Sequence, residues 1–194
     1  MAATMKVYCD YGGSDGSPGT NQDTSALGPP NVRFKTSDDN TIDANNPIPI
    51  PAAGTTYSYW KHLYLLCSVA PSTQIDNVKF YTDGSGFGTG ITVKVGDETP
   101  TKNSGSDAGY VVATGTQGST GDELVANNAQ ITGSTDAFSY TSASPKSVSI
   151  SESGNIMDAQ NETTDYLVVQ MEVDNTASPG NLTDETITFR YDEI

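Results

Sequence analysis

Apolar residues come in short bursts along the chain, separated by Gly, Ser, Thr, Asn, Asp and Pro, and no long stretch follows the 3.6-residue period of an amphipathic helix. Bursts of this length and alternation predict β-strands. They fall at residues 4–9, 31–36, 58–68, 76–83, 90–96, 109–114, 146–151, 165–173 and 185–193. About nine strands suit an all-β fold: a two-layer antiparallel β-sandwich, jelly-roll-like, with long polar loops. In DNVKFYTD, Val78 and Phe80 alternate with Lys79 and Tyr81, and in ETITFRYDE, Ile187, Phe189 and Tyr191 alternate with Thr188 and Arg190. Each of these strands therefore presents one dry face. LYLLCSV and YLVVQMEV are apolar on both faces, as central strands are when another layer or a partner chain covers each side.

Turn chemistry agrees with this division. The glycines of DGSGFGTG provide positive φ after the fourth strand, and TASPGNLTDE is expected to join the last two strands as a hairpin loop. Residues 10–30 have almost no apolar content and form a polar excursion longer than ordinary ordered connections, either mobile or laid against something else. Residues 115–145 hold one short predicted helix, GDELVANNAQI, with Asp122 at its start, and a further helical turn is predicted at NIMDAQ. Before the strongest strand, residues 46–54 form a proline-rich arm. Pro47, Pro49 and Pro51 fix φ and lack backbone donors, so the arm is extended, with Ile48 and Ile50 projecting to its sides. It either staples an edge of its own sandwich or reaches a neighbouring subunit.

At 194 residues the chain fits a single domain over 1–194. A formal charge of −15 argues against direct binding to nucleic-acid phosphate or anionic lipid, which carry the same sign. No apolar run is long enough to span a membrane. The opening residues MAATMKVYCDY lack the basic start and apolar stretch of a secretory precursor. Cys9 and Cys67 are read as two reduced, partly buried thiols that would pair only if their strands were neighbours.

Candidate chemistry is sparse. His62 is the single histidine, and a catalytic triad would have to be built on it; it shares a strand face with Trp60 and Tyr64, where aromatic packing explains it. No CxxC, HExxH, GxSxG or Walker-type GKS or GKT occurs. Glycosidase carboxylate pairs meet only in a fold, and the seven glutamates favour no pair. The loop KTSDDNTIDANNP places Asp38, Asp39, Asn40, Asp43 and Asn45 at short intervals, a calcium pattern without EF-hand order, which Asx-capped turns explain equally. Asn161 and Asn181 match the glycosylation acceptor pattern, read as chance in a chain without a secretion signal. TYSYWKHLY invites a sugar-stacking reading of Trp60 beside a core-packing one.

The segments NNPIPIPAAGTTYSYWKHL, IDNVKFYTDGSGFGTGITVKVGD and TDETITFRYDEI, in a glycine- and threonine-rich all-β chain, resemble virion structural proteins of tailed bacterial and archaeal viruses. The resemblance implies a non-enzymatic capsid decoration or minor capsid subunit, assembled in the host cytoplasm and then part of the virion. Its partners would be other virion proteins such as the major capsid protein, and further copies of itself in a homo-oligomer. Pro47, Ile48, Pro49, Ile50, Pro51, Tyr57, Tyr59 and Trp60 are the expected contact or arm-anchoring residues. From another class comes an extracellular carbohydrate-binding module, with an exposed Trp60 and calcium at Asp38, Asp39, Asn40 and Asp43.

Overall fold

The structure is a computed structural model that describes residues 2–24, 32–42, 47–98, 102, 107–112, 123–124 and 130–194. Among these residues there are ten strands: β1 (Thr4–Ser14), β2 (Ser17–Asp23), β3 (Thr55–Tyr57), β4 (Lys61–Val69), β5 (Ile75–Thr82), β6 (Ile91–Glu98), β7 (Ile131–Asp136), β8 (Lys146–Ser147), β9 (Leu167–Asp174) and β10 (Ile187–Glu193). Two antiparallel sheets pack as a sandwich. The larger runs β2-β1-β4-β9-β6-β7, with β3 continuing the line of β4 along β9; the smaller is β10-β5-β8. The jelly-roll likeness is carried no further by this order.

The main core lies between the sheets. Leu63, Leu65, Val93, Val169 and Met171 from the large sheet meet Val78 and Phe80 of β5. The one-faced strands alternate as the sequence predicts, with a correction at one point. Asn77 takes a left-handed φ of 51°, and the pairing with β10 slips between Arg190 and Asp192. This β-bulge resets the alternation, so Ile75 and Val78 are both buried although three residues apart. The central strands β4 and β9 are covered on both faces by their own chain. On the side away from the small sheet, the β6–β7 connection lays Tyr110, Val111 and Leu124 over Trp60, Tyr64, Tyr166 and Val168.

Several boundaries differ from expectation, and one cause recurs. Residues 32–36 make no ladder, because the Arg33 N–H is taken by Asn40 Oδ1 at 2.7 Å. Residues 109–112 make none either: Glu98 Oε1 accepts from Val111 N–H and Asp15 Oδ1 from Val112 N–H. The 146–151 strand shrinks to β8, with Ile150 N–H donating to Asn155 Oδ1. In the first two cases a side-chain acceptor takes a backbone donor that a neighbouring strand would otherwise hold, whereas 148–151 keeps scattered backbone bonds to Val78 and Thr163. Of the predicted helix at 121–131 only residues 123, 124, 130 and 131 are described, the last of them in β7; at NIMDAQ the 3-10 turn Ser153–Asn155 ends on the first residue and Ile156 is extended. The last two strands are not a hairpin, since β9 belongs to the large sheet and β10 to the small one.

Of the polar excursion, residues 10–24 are described, and they are ordered. This part is the β1–β2 hairpin, closed by the two-residue loop Asp15–Gly16. At Gly13, φ is +81° and a Cβ would lie 2.1 Å from Ser17 O, so only glycine permits this close crossing. Cys9 and Cys67 are buried free thiols. In the β1–β4 ladder Cys9 faces Leu63 and Cys67 faces Met5, which separates the two cysteines by four residues along the strand, about 13 Å and too far for a disulfide.

Candidate functional site

Four features of the chain carry its polar chemistry or its exposed apolar surface. The first is the arm. Ile48 packs against the main core, and the Thr56 hydroxyl donates to Pro49 C=O at 2.5 Å from the start of the β3–β4 line. Ile50 points outward and is 37% exposed. The arm is thus stapled to its own sandwich at one isoleucine and displays the next. Pro51, Tyr57 and Tyr59 are half-buried, and Pro47 and Pro49 are exposed. Trp60 is 2% exposed beneath Val111 and Leu124, so packing accounts for it and it offers no face to a sugar.

The second feature is the acidic loop. Asp39 accepts from Lys35 Nζ at 2.6 Å, from Thr41 N–H and Oγ1, and from Ser37 Oγ. The Lys35 ammonium, followed by the Thr41 hydroxyl, holds the Asp39 carboxyl well below the usual carboxylate range. Asn40 bridges Arg33 N–H and Gln22 Oε1. Asp38 faces Lys61, with Oδ1 3.6 Å from Nζ. The oxygens expected to hold calcium therefore face protein donors, and Asp43 lies outside the described residues. Among the described residues no three acidic, histidine or cysteine side chains converge on a common point.

The third feature is a buried polar layer on the outer face of the large sheet. Register places Asp10 of β1 beside His62 of β4, and alternation aligns Tyr64 on the same face. Tyr166 donates to Asp10 Oδ2 at 2.6 Å and accepts from Lys102 Nζ at 3.1 Å. Lys102 Nζ also donates to Asp107 Oδ1 at 2.7 Å and lies 4.4 and 4.7 Å from the ring centres of Tyr64 and Tyr166. Two aromatic faces, a phenol and a carboxylate thus surround this amine. The His62 ring lies tilted against that of Tyr110 with centres 4.4 Å apart, and its Nε2 is 3.5 Å from Glu98 Oε1. Burial pushes the Asp10 carboxyl upward, and the hydroxyls of Tyr64, Tyr110 and Tyr166 rise for the same first cause. Tyr110 completes the closure: its hydroxyl donates to Gly12 C=O and its own C=O accepts from Gly16 N–H, so the β1–β2 turn clasps the covering segment.

The fourth feature is an open apolar cleft of about 380 Å³ between the sheets, where β10 leaves part of the large sheet uncovered. Val7, Phe34, Leu63, Phe87, Phe138 and Phe189 form its walls, and Arg33, Asp184 and Glu185 contribute the polar lining.

The sequence reading brings the arm and the acidic loop into view but misses Glu98, Lys102, Tyr110 and Tyr166, and with them the place of Asp10, which it weighs only as a weak calcium ligand beside Asp15. Their signal is alternation: Tyr8 and Asp10 share one face of VYCDY, as His62 and Tyr64 share one face of β4. That these two faces coincide depends on register, which no local pattern encodes. No protein-family model, characterised protein or solved structure matches the chain.

Proposed function

We propose that this chain is a non-enzymatic structural subunit of a virus particle, a capsid decoration or minor capsid protein that acts through protein–protein contacts. The observation that carries this reading is the arm, a proline-stiffened segment anchored at Ile48 that holds Ile50 outward. A rigid apolar side chain presented on a fixed scaffold loses little entropy on docking. Ile42, 81% exposed, and the apolar cleft add outward apolar surface in the same molecule. The grouped ionisable residues of the outer face engage one another beneath the covering layer, as structural groups do. A charge of −15 suits a place on the outside of a shell, away from packaged nucleic acid.

Banding of natively produced material on a density gradient, read by mass spectrometry, tests this role. Co-migration with DNA-filled particles at fixed stoichiometry is the expected result, and recovery only as free protein overturns it. The arm has its own test. Ile50→Asp is expected to reduce incorporation into particles at least tenfold while changing folding stability by less than about 0.5 kcal/mol, as an exposed position allows. Ile48→Asp, which places a charge against the main core, is expected to destabilise the fold itself. Unchanged incorporation of Ile50→Asp would remove the arm from the contact.

A further inference from the structure

Lys61 differs from the other buried lysines. Its side chain is wholly buried at the first position of β4, on the face that carries Leu63 and the main core. Lys35 and Lys102 are hydrogen-bonded to carboxylates, whereas Lys61 Nζ makes no hydrogen bond among the described residues. It has the ring of Tyr11 at 4.8 Å and Asp38 Oδ1 at 3.6 Å. Both ends of this pair are held in place. Lys61 is registered opposite Val169 in the ladder, and Asp38 sits between residues fastened by Lys35, Ser37, Thr41, Arg33 and Gln22. A buried ammonium without a hydrogen bond carries the cost of its desolvation and recovers little of it from a partly exposed carboxylate.

We infer that Lys61 and Asp38 are the two halves of an intramolecular amide crosslink that the folded chain forms by itself. Lys61 Nζ lies 3.6 Å from Oδ1 of the carboxyl it would attack, and rigid neighbours preorganise both groups, which supplies part of the entropic barrier. The reaction requires one ammonium proton to move to the carboxylate, and burial, which lowers the Lys61 pKa, favours the neutral amine that this leaves. The nitrogen lone pair then attacks Cγ. The tetrahedral adduct transfers one amine proton to a hydroxyl oxygen and expels water, leaving an Nζ–Cγ amide. The ammonium and carboxylate together supply every atom of the amide and the water, and no oxidant or cofactor enters. Asp38 is 27% exposed, which gives the water an exit, while the walls around Lys61 keep solvent from the product. The bond would join the two ends of the segment that bears the arm. It does not depend on the virion role, and either can fail alone.

Mass spectrometry of the full chain, folded and then denatured, tests the crosslink. The expected intact mass is one water below that of the sequence. Trypsin should leave residues 36–79 as one piece lacking a water, because an acylated Lys61 is not cut. Asp38→Ala, at a partly exposed loop position, and Lys61→Met, which keeps the buried stem, should each restore the full mass of their own sequence. A wild-type chain of full mass that is cut completely after Lys61 overturns the inference. So does a water loss that persists in Lys61→Met, which would mark a cyclised aspartate instead.

Discussion

Phe80→Ala is expected to cost about 3–5 kcal/mol of folding stability, the range for removing a fully buried aromatic ring. Phe80 is wholly buried at the middle of β5, the central strand of the small sheet, and faces the large one. It is registered opposite Phe189, with ring centres 5.7 Å apart, and meets Tyr140 edge-on at 6.4 Å. The small sheet has only three strands, so few other side chains can collapse into the space. In a chain of this length each 1 kcal/mol moves the melting temperature by roughly 2–4 °C, so a drop on the order of 10 °C is expected. Tyr81, next in sequence but on the opposite face, provides the control, and Tyr81→Ala is expected to cost much less. Urea denaturation of both variants checks this. A loss below about 1 kcal/mol for Phe80→Ala would mean that the small sheet does not close the core.

The alternation that puts Phe80 inside is fully local, and so it was legible in the sequence. The same holds for Val78, for the two-faced character of β4 and β9, and for the arm. What the sequence pattern could not supply was the identity of each strand's partner. Residues 31–36 and 109–114 have strand-like composition, but the N–H groups of Arg33, Val111 and Val112 go to Asn40, Glu98 and Asp15. A side-chain acceptor can satisfy a backbone donor as well as a strand does, and composition does not register the difference. The β1–β2 hairpin was hidden for the opposite reason. Its Asp15–Gly16 loop is a strong turn signal, but the flanking residues are polar because the hairpin is an edge and buries little. The tyrosine layer was out of reach because Asp10, His62, Lys102 and Tyr166 come from four separate stretches: the pairing of β1 with β4 and β4 with β9 gathers three of them, and Lys102 arrives on the β6–β7 connection.

That layer leads to the second large effect. Asp10→Asn is expected to stabilise the protein at pH 8 and to leave its stability at acid pH almost unchanged. Burial raises the Asp10 carboxyl above its ordinary value of 3.8, outweighing the lowering by Tyr166 and Lys102. Between 3.8 and the raised value the native state therefore holds a proton that the unfolded state has lost, and stability falls as pH rises through that window. Asp165 and Glu172, also raised chiefly by burial, add to the same slope. Asparagine keeps an oxygen for the Tyr166 hydroxyl without a charge to desolvate, so the Asp10 part of the decline disappears. Tyr166→Phe acts in the other direction. It removes the 2.6 Å donor to Asp10 and the acceptor of Lys102 while leaving both buried, at a cost of about 1–3 kcal/mol that is greatest where Asp10 is ionised. In the double variant that cost shrinks, because the residue at 10 no longer carries a charge in need of the phenol. Melting curves at pH 4 and pH 8, followed through the single tryptophan Trp60 under the covering layer, separate these cases. If Asp10→Asn melts below the wild type at pH 8, attraction between Asp10 and Lys102 outweighs desolvation, and the layer is held together by its charges and not in spite of them.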